Sequence, residues 1–128
     1  MYLLDTNVII ELLHGNQKVI EHIYSVGINK CAICEMTIAE LFYGAVKGKN
    51  EKNFNDIDTI RFLFKENSVN SCFREYAEIR DSLRQQGLTI DLMDVFIASV
   101  ALHNNLILVT HNTKHFNRIQ NIQIEDWQ

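Results

Sequence analysis

The sequence predicts an α/β protein, with helices packed on both sides of a central, mostly parallel sheet of about five short strands. Two observations carry this. Short apolar runs at Tyr2-Leu3-Leu4, Cys31 to Met36 and Leu106 to Thr110 alternate with longer stretches whose apolar residues recur at helical spacing. The run Leu106-Ile107-Leu108-Val109-Thr110 is apolar without alternation, the pattern of a strand buried on both faces of a parallel sheet. At 128 residues and 47% apolar content the chain has the material for one core, and a single domain over 1–128 is expected, with no linker, repeat or low-complexity tract.

Each element has a local reason. Leu3 and Leu4 lead into the polar corner Asp5-Thr6-Asn7, and Val8 to Leu13 then forms a short helix that stops at His14-Gly15-Asn16. Val19, Ile20, Ile23, Tyr24 and Val26 mark a second helix from Lys18 to Val26, ending at Gly27. After the strand at Cys31 to Met36, Thr37-Ile38-Ala39-Glu40 has the capping-box spacing and predicts a helix that opens at Thr37 and closes between Gly44 and Gly48. Lys47 to Asn53 reads as a polar loop. Phe54, Ile57, Ile60, Leu63 and Phe64 then define one helix and Phe73, Tyr76, Ala77, Arg80 and Leu83 another, flanking a short segment at Ser68-Val69-Asn70. Asp91 is placed to cap a helix carrying Asp94, Ile97, Ala98, Ala101 and Leu102, whose apolar residues nearly encircle it. Ile122-Gln123-Ile124 predicts a last strand.

Composition narrows the function classes. No apolar run approaches the roughly 20 residues of a membrane span, and the amino terminus lacks the pattern of a secretory leader, so a cytoplasmic protein is expected. Cys31 and Cys34 stand three apart on a strand, so their thiols point to opposite faces. With no second ligand pair to complete a zinc site, reduced buried thiols are expected for the three cysteines. The net charge of −4 argues against a general basic grip on nucleic acid, although bound divalent cations would reverse the local potential of a carboxylate cluster.

In open α/β sheets, residues just beyond the carboxyl ends of the strands converge on one site. Asp5-Thr6-Asn7, Glu40, Asp94 and His111-Asn112 all qualify. Oxygen-only donor sets of this kind suit a hard divalent cation that keeps open positions for phosphate. Each acid also has a plain structural explanation: Asp5 as a helix cap, Glu40 as the capping-box partner, Asp94 as a complement to the helix dipole. Together these weaken, because Asp5 follows and Asp94 precedes an apolar run, and neither has a Lys or Arg nearby in sequence. His111 and His115 lack the Glu of a zinc-hydrolase helix, and surface or RNA-facing histidines are expected instead. Arg74, Arg80, Arg84, Lys114 and Arg118 read as solvated charges or RNA-backbone contacts.

The chain resembles the PIN-domain ribonucleases, and within them the VapC-type toxins of toxin–antitoxin pairs. The resemblance lies in Tyr2 to Ile10, Thr37 to Ala45, Asp94-Val95-Phe96-Ile97-Ala98, Leu108 to Phe116 and the closing Glu125-Asp126-Trp127. It implies a PIN-like α/β/α sandwich. It also implies an endoribonuclease that hydrolyses RNA phosphodiester bonds, transfer RNA among its substrates, and inhibits translation. Asp5, Glu40 and Asp94 fall on the family's catalytic and metal-binding positions, and Thr6 and Asn112 on polar supporting ones. Asn7 and His115 are taken with these, and Lys114 and Arg118 as RNA contacts. The implied cofactor is Mg²⁺ or Mn²⁺, and the implied partners are a small antitoxin and a second copy of the chain. One departure stands out: the last motif has Asn112 and His115 where the family often has a further acid, which leaves a second metal ion open. Two other readings remain, an aspartyl phosphotransferase using Asp5 and a PIN fold that only binds a partner.

Overall fold

Parallel pairing along the whole sheet decides where the functional residues meet. The computed structural model describes residues 1–128. Its strands are β1 (Tyr2–Leu4), β2 (Cys31–Cys34), β3 (Lys65–Asn67), β4 (Ile107–Val109) and β5 (Ile124–Glu125). They lie in the order β3-β2-β1-β4-β5 and every neighbouring pair is parallel. The connecting helices are α1 (Thr6–Leu13), α2 (Gln17–Val26), α3 (Glu35–Gly48), α4 (Glu51–Leu63), α5 (Phe73–Gln85), α6 (Leu92–His103) and the single turn α7 (Thr113–Phe116). From β1 the chain winds outward through β2 to β3 and then returns to the other side of β1 for β4. The crevice at the carboxyl ends of β1 and β4 is therefore the switch point where α/β sheets place their sites.

Side chains alternate across the sheet and divide the core in two. Leu3, Ala32, Cys34 and Leu108 pack on α5 and α6, together with Phe116 and Ile119. Leu4, Cys31, Ile33 and Val109 face the other way, onto α1 to α4 and Trp127. Cys31 and Cys34 do point to opposite faces, and all three cysteines are buried and free. Burial pushes the Cys31 and Cys34 thiols up to about 11, which keeps them protonated. α6 is the most enclosed helix, with Val95 and Ile97 to Ala101 buried. No helix is long and apolar enough to cross a membrane.

The structure corrects several boundaries. β2 ends at Cys34, and α3 opens at Glu35 rather than Thr37, with the Cys34 sulfur accepting the Met36 N–H. Thr37 and Glu40 therefore form no capping box. Glu35 instead ties the new helix start to the next crossover, accepting from the Val69 N–H at 2.9 Å. The expected polar loop at Lys47 to Asn53 shrinks to Lys49 and Asn50, because Lys49 takes a left-handed conformation (φ 54°) and Asn50 immediately caps α4. β3 lies at Lys65–Asn67, just before the expected segment at Ser68. As an edge strand it is entirely polar and carries none of the apolar signal of its neighbours. α7 was not foreseen, and the last strand falls at Ile124–Glu125 instead of Ile122–Ile124.

Leu3 sits at the centre of the sheet with no exposed surface. Leu3→Ala is expected to lower stability by about 2–5 kcal/mol in urea denaturation, from lost burial and the cavity left behind. Tyr24, 77% exposed, serves as the control. Its replacement by Ala should change stability by less than about 0.5 kcal/mol.

Candidate metal centre

Asp5 is the buried charge around which the site is built. Leu4 pairs with Val109 in the β1–β4 register, so the next residues along, Asp5 and Thr110, meet at the carboxyl edge. The Asp5 N–H donates to the Val109 carbonyl at 2.9 Å, which extends the ladder one step past the strand. Its carboxylate, on a residue only 3% exposed, accepts from the Thr110 hydroxyl at 2.7 Å and the Thr6 N–H at 2.8 Å. The second bond makes Asp5 the N-cap of α1, so it caps a helix and lies at the switch point at once. Burial raises its pKa above the ordinary carboxylate value, against the two donors and the charge of His111.

Glu40 lies in the second turn of α3. With the capping box absent, its carboxylate is free to turn inward, where it accepts from the Thr6 hydroxyl at 2.6 Å. Thr6 also sits 3.0 Å from the hydroxyl of the fully buried Thr37. One threonine thus holds the second acid beside the first. Burial, followed by the charges of Asp5 and Asp91, raises Glu40 above its usual range, with the Thr6 bond opposing.

Asp94 completes the group from the first turn of α6. Burial pushes it up to about 7, helped by the negative charges of Asp5, Asp91 and Glu40. Asp5, Glu40 and Asp94 therefore share one electrostatic neighbourhood although they come from the N-cap of α1, from α3 and from α6. None of them is in a salt bridge, and the ion pairs of the protein lie elsewhere. The carboxylates do not close into a finished ligand cage by themselves.

The remaining predicted residues are placed unevenly. Thr6 is a hinge of the cluster, and Asn7 beside it has a buried side-chain oxygen with no hydrogen-bond partner. Asn112 is exposed, with its backbone N–H on the Thr110 hydroxyl. His115 and Lys114 are exposed on α7. Arg118 lines a cavity of about 290 Å³ with Glu75, Glu78 and Leu102 that none of the three acids reaches. Arg74 and Arg84 are held in ion pairs with Glu78 and Asp81, and Arg80 donates to the Tyr76 hydroxyl.

Two features correct the sequence reading, which expected His111 on the surface or facing RNA and Asp91 only as a cap. His111 is mostly buried; its Nδ1 lies 2.9 Å from the Asp126 carboxylate, while its Nε2 is buried without a partner. The two residues are 15 apart, so no spacing rule links them. Asp91, expected only as a cap, does accept from the Met93 N–H at 2.8 Å, but its charge also acts on Glu40 and Asp94. Its position three residues before Asp94 was the available signal.

This geometry can be set beside known proteins. The family profile described as "PIN domain" matches residues 2–122. The chain belongs to the PIN domain family. Among curated PIN relatives it is 40% identical over 103 residues to Ribonuclease VapC2 of Rickettsia felis, covering 77% of this chain and 75% of that one. It is 29% identical over 128 residues to the tRNA(fMet)-specific endonuclease VapC of Shigella flexneri, covering 98% and 97%. Among solved structures it superposes with a TM-score of 0.93 and 33% identity on VapBC2 from Rickettsia felis bound to a DNA fragment from their promoter, over 99% of this chain and 98% of that one.

PIN-domain ribonucleases are in general dependent on divalent metal, and the donor set here fits one. It consists only of hard oxygen ligands, is partly desolvated, and has no salt-bridge partner, with the charge of His111 acting on Asp5 alone. The orphaned Asn7 oxygen, two residues from Asp5, is a further unmatched acceptor at the same helix start.

A pH test follows from Asp94. Folding raises its pKa from 3.8 to about 7, so the folded chain binds a proton there more tightly than the unfolded one. Without metal, the stability tied to this proton is fully present below the unfolded pKa and lost as pH rises through the folded one. In EDTA, Asp94→Asn should unfold at higher denaturant than wild type near pH 8. The two midpoints should converge below about pH 4.

Proposed function

We propose that the chain, as one nuclease unit over 1–128, is a Mg²⁺- or Mn²⁺-dependent endoribonuclease and the toxin of a type II toxin–antitoxin pair. The observation that carries this reading is the convergence of Asp5, Glu40 and Asp94 at the switch point with no Lys or Arg in a salt bridge to any of them. The relatives named as ribonucleases supply the substrate class.

In the proposed reaction Asp5, Glu40 and Asp94 are ligands rather than an acid–base pair. A divalent cation held by these three side chains would supply Lewis acidity, activating a water and offsetting charge on the phosphoryl group. The protein's contribution is position. Thr110 and the Thr6 N–H fix Asp5, and the Thr6 hydroxyl fixes Glu40 against it. Asp94 is fixed by its helix, whose apolar sides are buried on several faces. Lys114, exposed on α7 just beyond the β4 end, is the basic residue placed to meet the RNA backbone. Transfer RNA as the substrate is extended from the name of the Shigella relative, and a cytoplasmic location follows from that substrate.

The partner assignment rests on the surface next to Glu40. A groove of about 320 Å³ runs between α1, α3 and α4, walled by Ile10, Leu13, Leu41 and Ile57, and Glu40 lies at its rim. An apolar segment of an antitoxin seated there would cover one of the three acids. Support for an antitoxin partner comes from the names of the VapBC structures, a family of toxin–antitoxin systems. Assembly as a homodimer is also proposed; Tyr43 and Val46, more than 60% exposed on α3, are apolar surface available to it.

Purified wild-type protein, given total RNA and Mn²⁺, should produce defined new RNA ends on sequencing. Asp5→Asn, Glu40→Gln and Asp94→Asn should each lower the cleavage rate by at least about 100-fold while keeping the fold by circular dichroism. Full cleavage by all three folded variants would sink the reading. A wild type that binds RNA but never cuts it would favour a binding module.

A further inference from the structure

The segment around β5 is fastened to the exit of β4, where Thr110 holds Asp5. β5 has only two residues, Ile124 and Glu125, paired with Leu108 and Val109. That is shorter than most strands, and the chain adds contacts beyond the ladder. The Glu125 carbonyl accepts from the Thr110 N–H at 3.0 Å, one step past the paired residues. Trp127, 2% exposed, stacks on His22 with 5.1 Å between ring centroids and donates its indole N–H to the Glu125 carboxylate at 2.9 Å. Between these two anchors the Asp126 Oδ1 lies 2.9 Å from the Nδ1 of His111.

Asp126 is the one polar partner that orients the His111 ring. The ring's other nitrogen, Nε2, is buried without a hydrogen bond, so neither protein nor solvent holds that side. His111 directly follows Thr110, whose hydroxyl donates to Asp5 at 2.7 Å and accepts from the Asn112 N–H at 3.0 Å. The group that fixes the buried acid therefore sits on a strand exit gripped twice by the same segment, on the Thr110 backbone by Glu125 and on the next side chain by Asp126. A half-exposed carboxylate–histidine contact contributes little to global stability, but here it bears on where one hydroxyl points. We propose that Asp126 is a positioning residue of the cation site: through His111 it holds the exit of β4 in place, and with it the Thr110 hydroxyl that fixes Asp5. Asp126 touches neither cation nor substrate. This inference rests on the metal-dependent reading given above.

Mn²⁺ binding, measured by calorimetry on the full chain beside melting temperatures in EDTA, tests it without reference to catalysis. Asp126→Ala removes the acceptor, and His111→Phe keeps a ring without polar atoms. Each should weaken Mn²⁺ binding about 5-fold or more, as the loss of outer partners does at metal sites. The double variant should lose no more than either single one, because both act through one contact. Asp126→Asn keeps a carbonyl oxygen for the Nδ1–H and should restore binding close to wild type. Asp126→Ala that melts lower but binds Mn²⁺ as wild type does would reduce Asp126 to a latch on the chain end and overturn the proposal. Losses that add in the double variant, or an Asn variant as weak as Ala, would overturn it equally, the first by separating the two residues and the second by making charge the cause. Asp5→Asn separates the two levels. If it binds Mn²⁺ as wild type does, or if neither binds, the carboxylate cation site itself fails and this inference falls with it; if Asp5→Asn alone loses binding, the site stands and only the role of Asp126 is lost.

Discussion

The hydrogen bond from Thr110 to Asp5 joins the fold to the site. It spans 105 residues of sequence, yet the local geometry leaves little alternative once β1 and β4 pair in parallel with Leu4 opposite Val109. A slip of β4 by one residue would set Val109 against the carboxylate and turn Leu108 away from its core. Both apolar clusters therefore enforce the register, since Leu108 belongs to one and Val109 to the other. Asp5 can be almost fully buried because the same register delivers a hydroxyl to one of its oxygens and the start of α1 delivers an N–H to the other.

Much of this was legible in the sequence, for reasons that differ between elements. β1, β2 and β4 announced themselves because a central parallel strand is apolar on both faces, and α6 because a helix enclosed on several sides is apolar all round. Asp5 and Asp94 were legible as polar residues abutting those runs. β3 was not: Lys65, Glu66 and Asn67 join the edge of the sheet through backbone bonds, and nothing in their side chains records it. The α3 boundary misled in a more instructive way. Thr37 and Glu40 have capping-box spacing, but each is engaged with Thr6 instead, and the cap falls to Cys34, a weak acceptor that sequence rules do not rank. A motif that resembled local chemistry was long-range chemistry. The His111–Asp126 pair, closed only when the carboxy-terminal segment lies along β4, had no local signal.

The acids also show what the core must offset. Asp5, Glu40 and Asp94 are all raised, by burial first and for Glu40 and Asp94 by neighbouring acids as well, so in the absence of a cation each of these deprotonations opposes folding. Natural structural charges are usually arranged the other way, with a basic group brought to each buried acid. This chain does pair charges, but at a distance from the cluster: Lys52 with Asp56, Arg61 with Glu66, Arg74 with Glu78 and Arg84 with Asp81. Stability is supplied instead by the two packed faces of the sheet, and the cluster draws on it.

That division bears on how an acidic protein of net charge −4 can act on a polyanion. Four of its 12 Lys and Arg residues are neutralised in pairs and the chain carries 16 Asp and Glu, so its surface as a whole is not one that holds RNA by counterion release alone. In the proposed reaction the scissile phosphate would sit against this cluster, and bound cations would remove the repulsion it meets there. In the proposed reaction the carboxylates therefore do two things with one arrangement. They hold the ions that activate the phosphodiester, and without those ions they keep it out. A groove with lysines in place of Glu40 or Asp94 would bind RNA more tightly in the absence of metal and gain nothing at the step that breaks the bond, because only interactions that strengthen toward the transition state accelerate it.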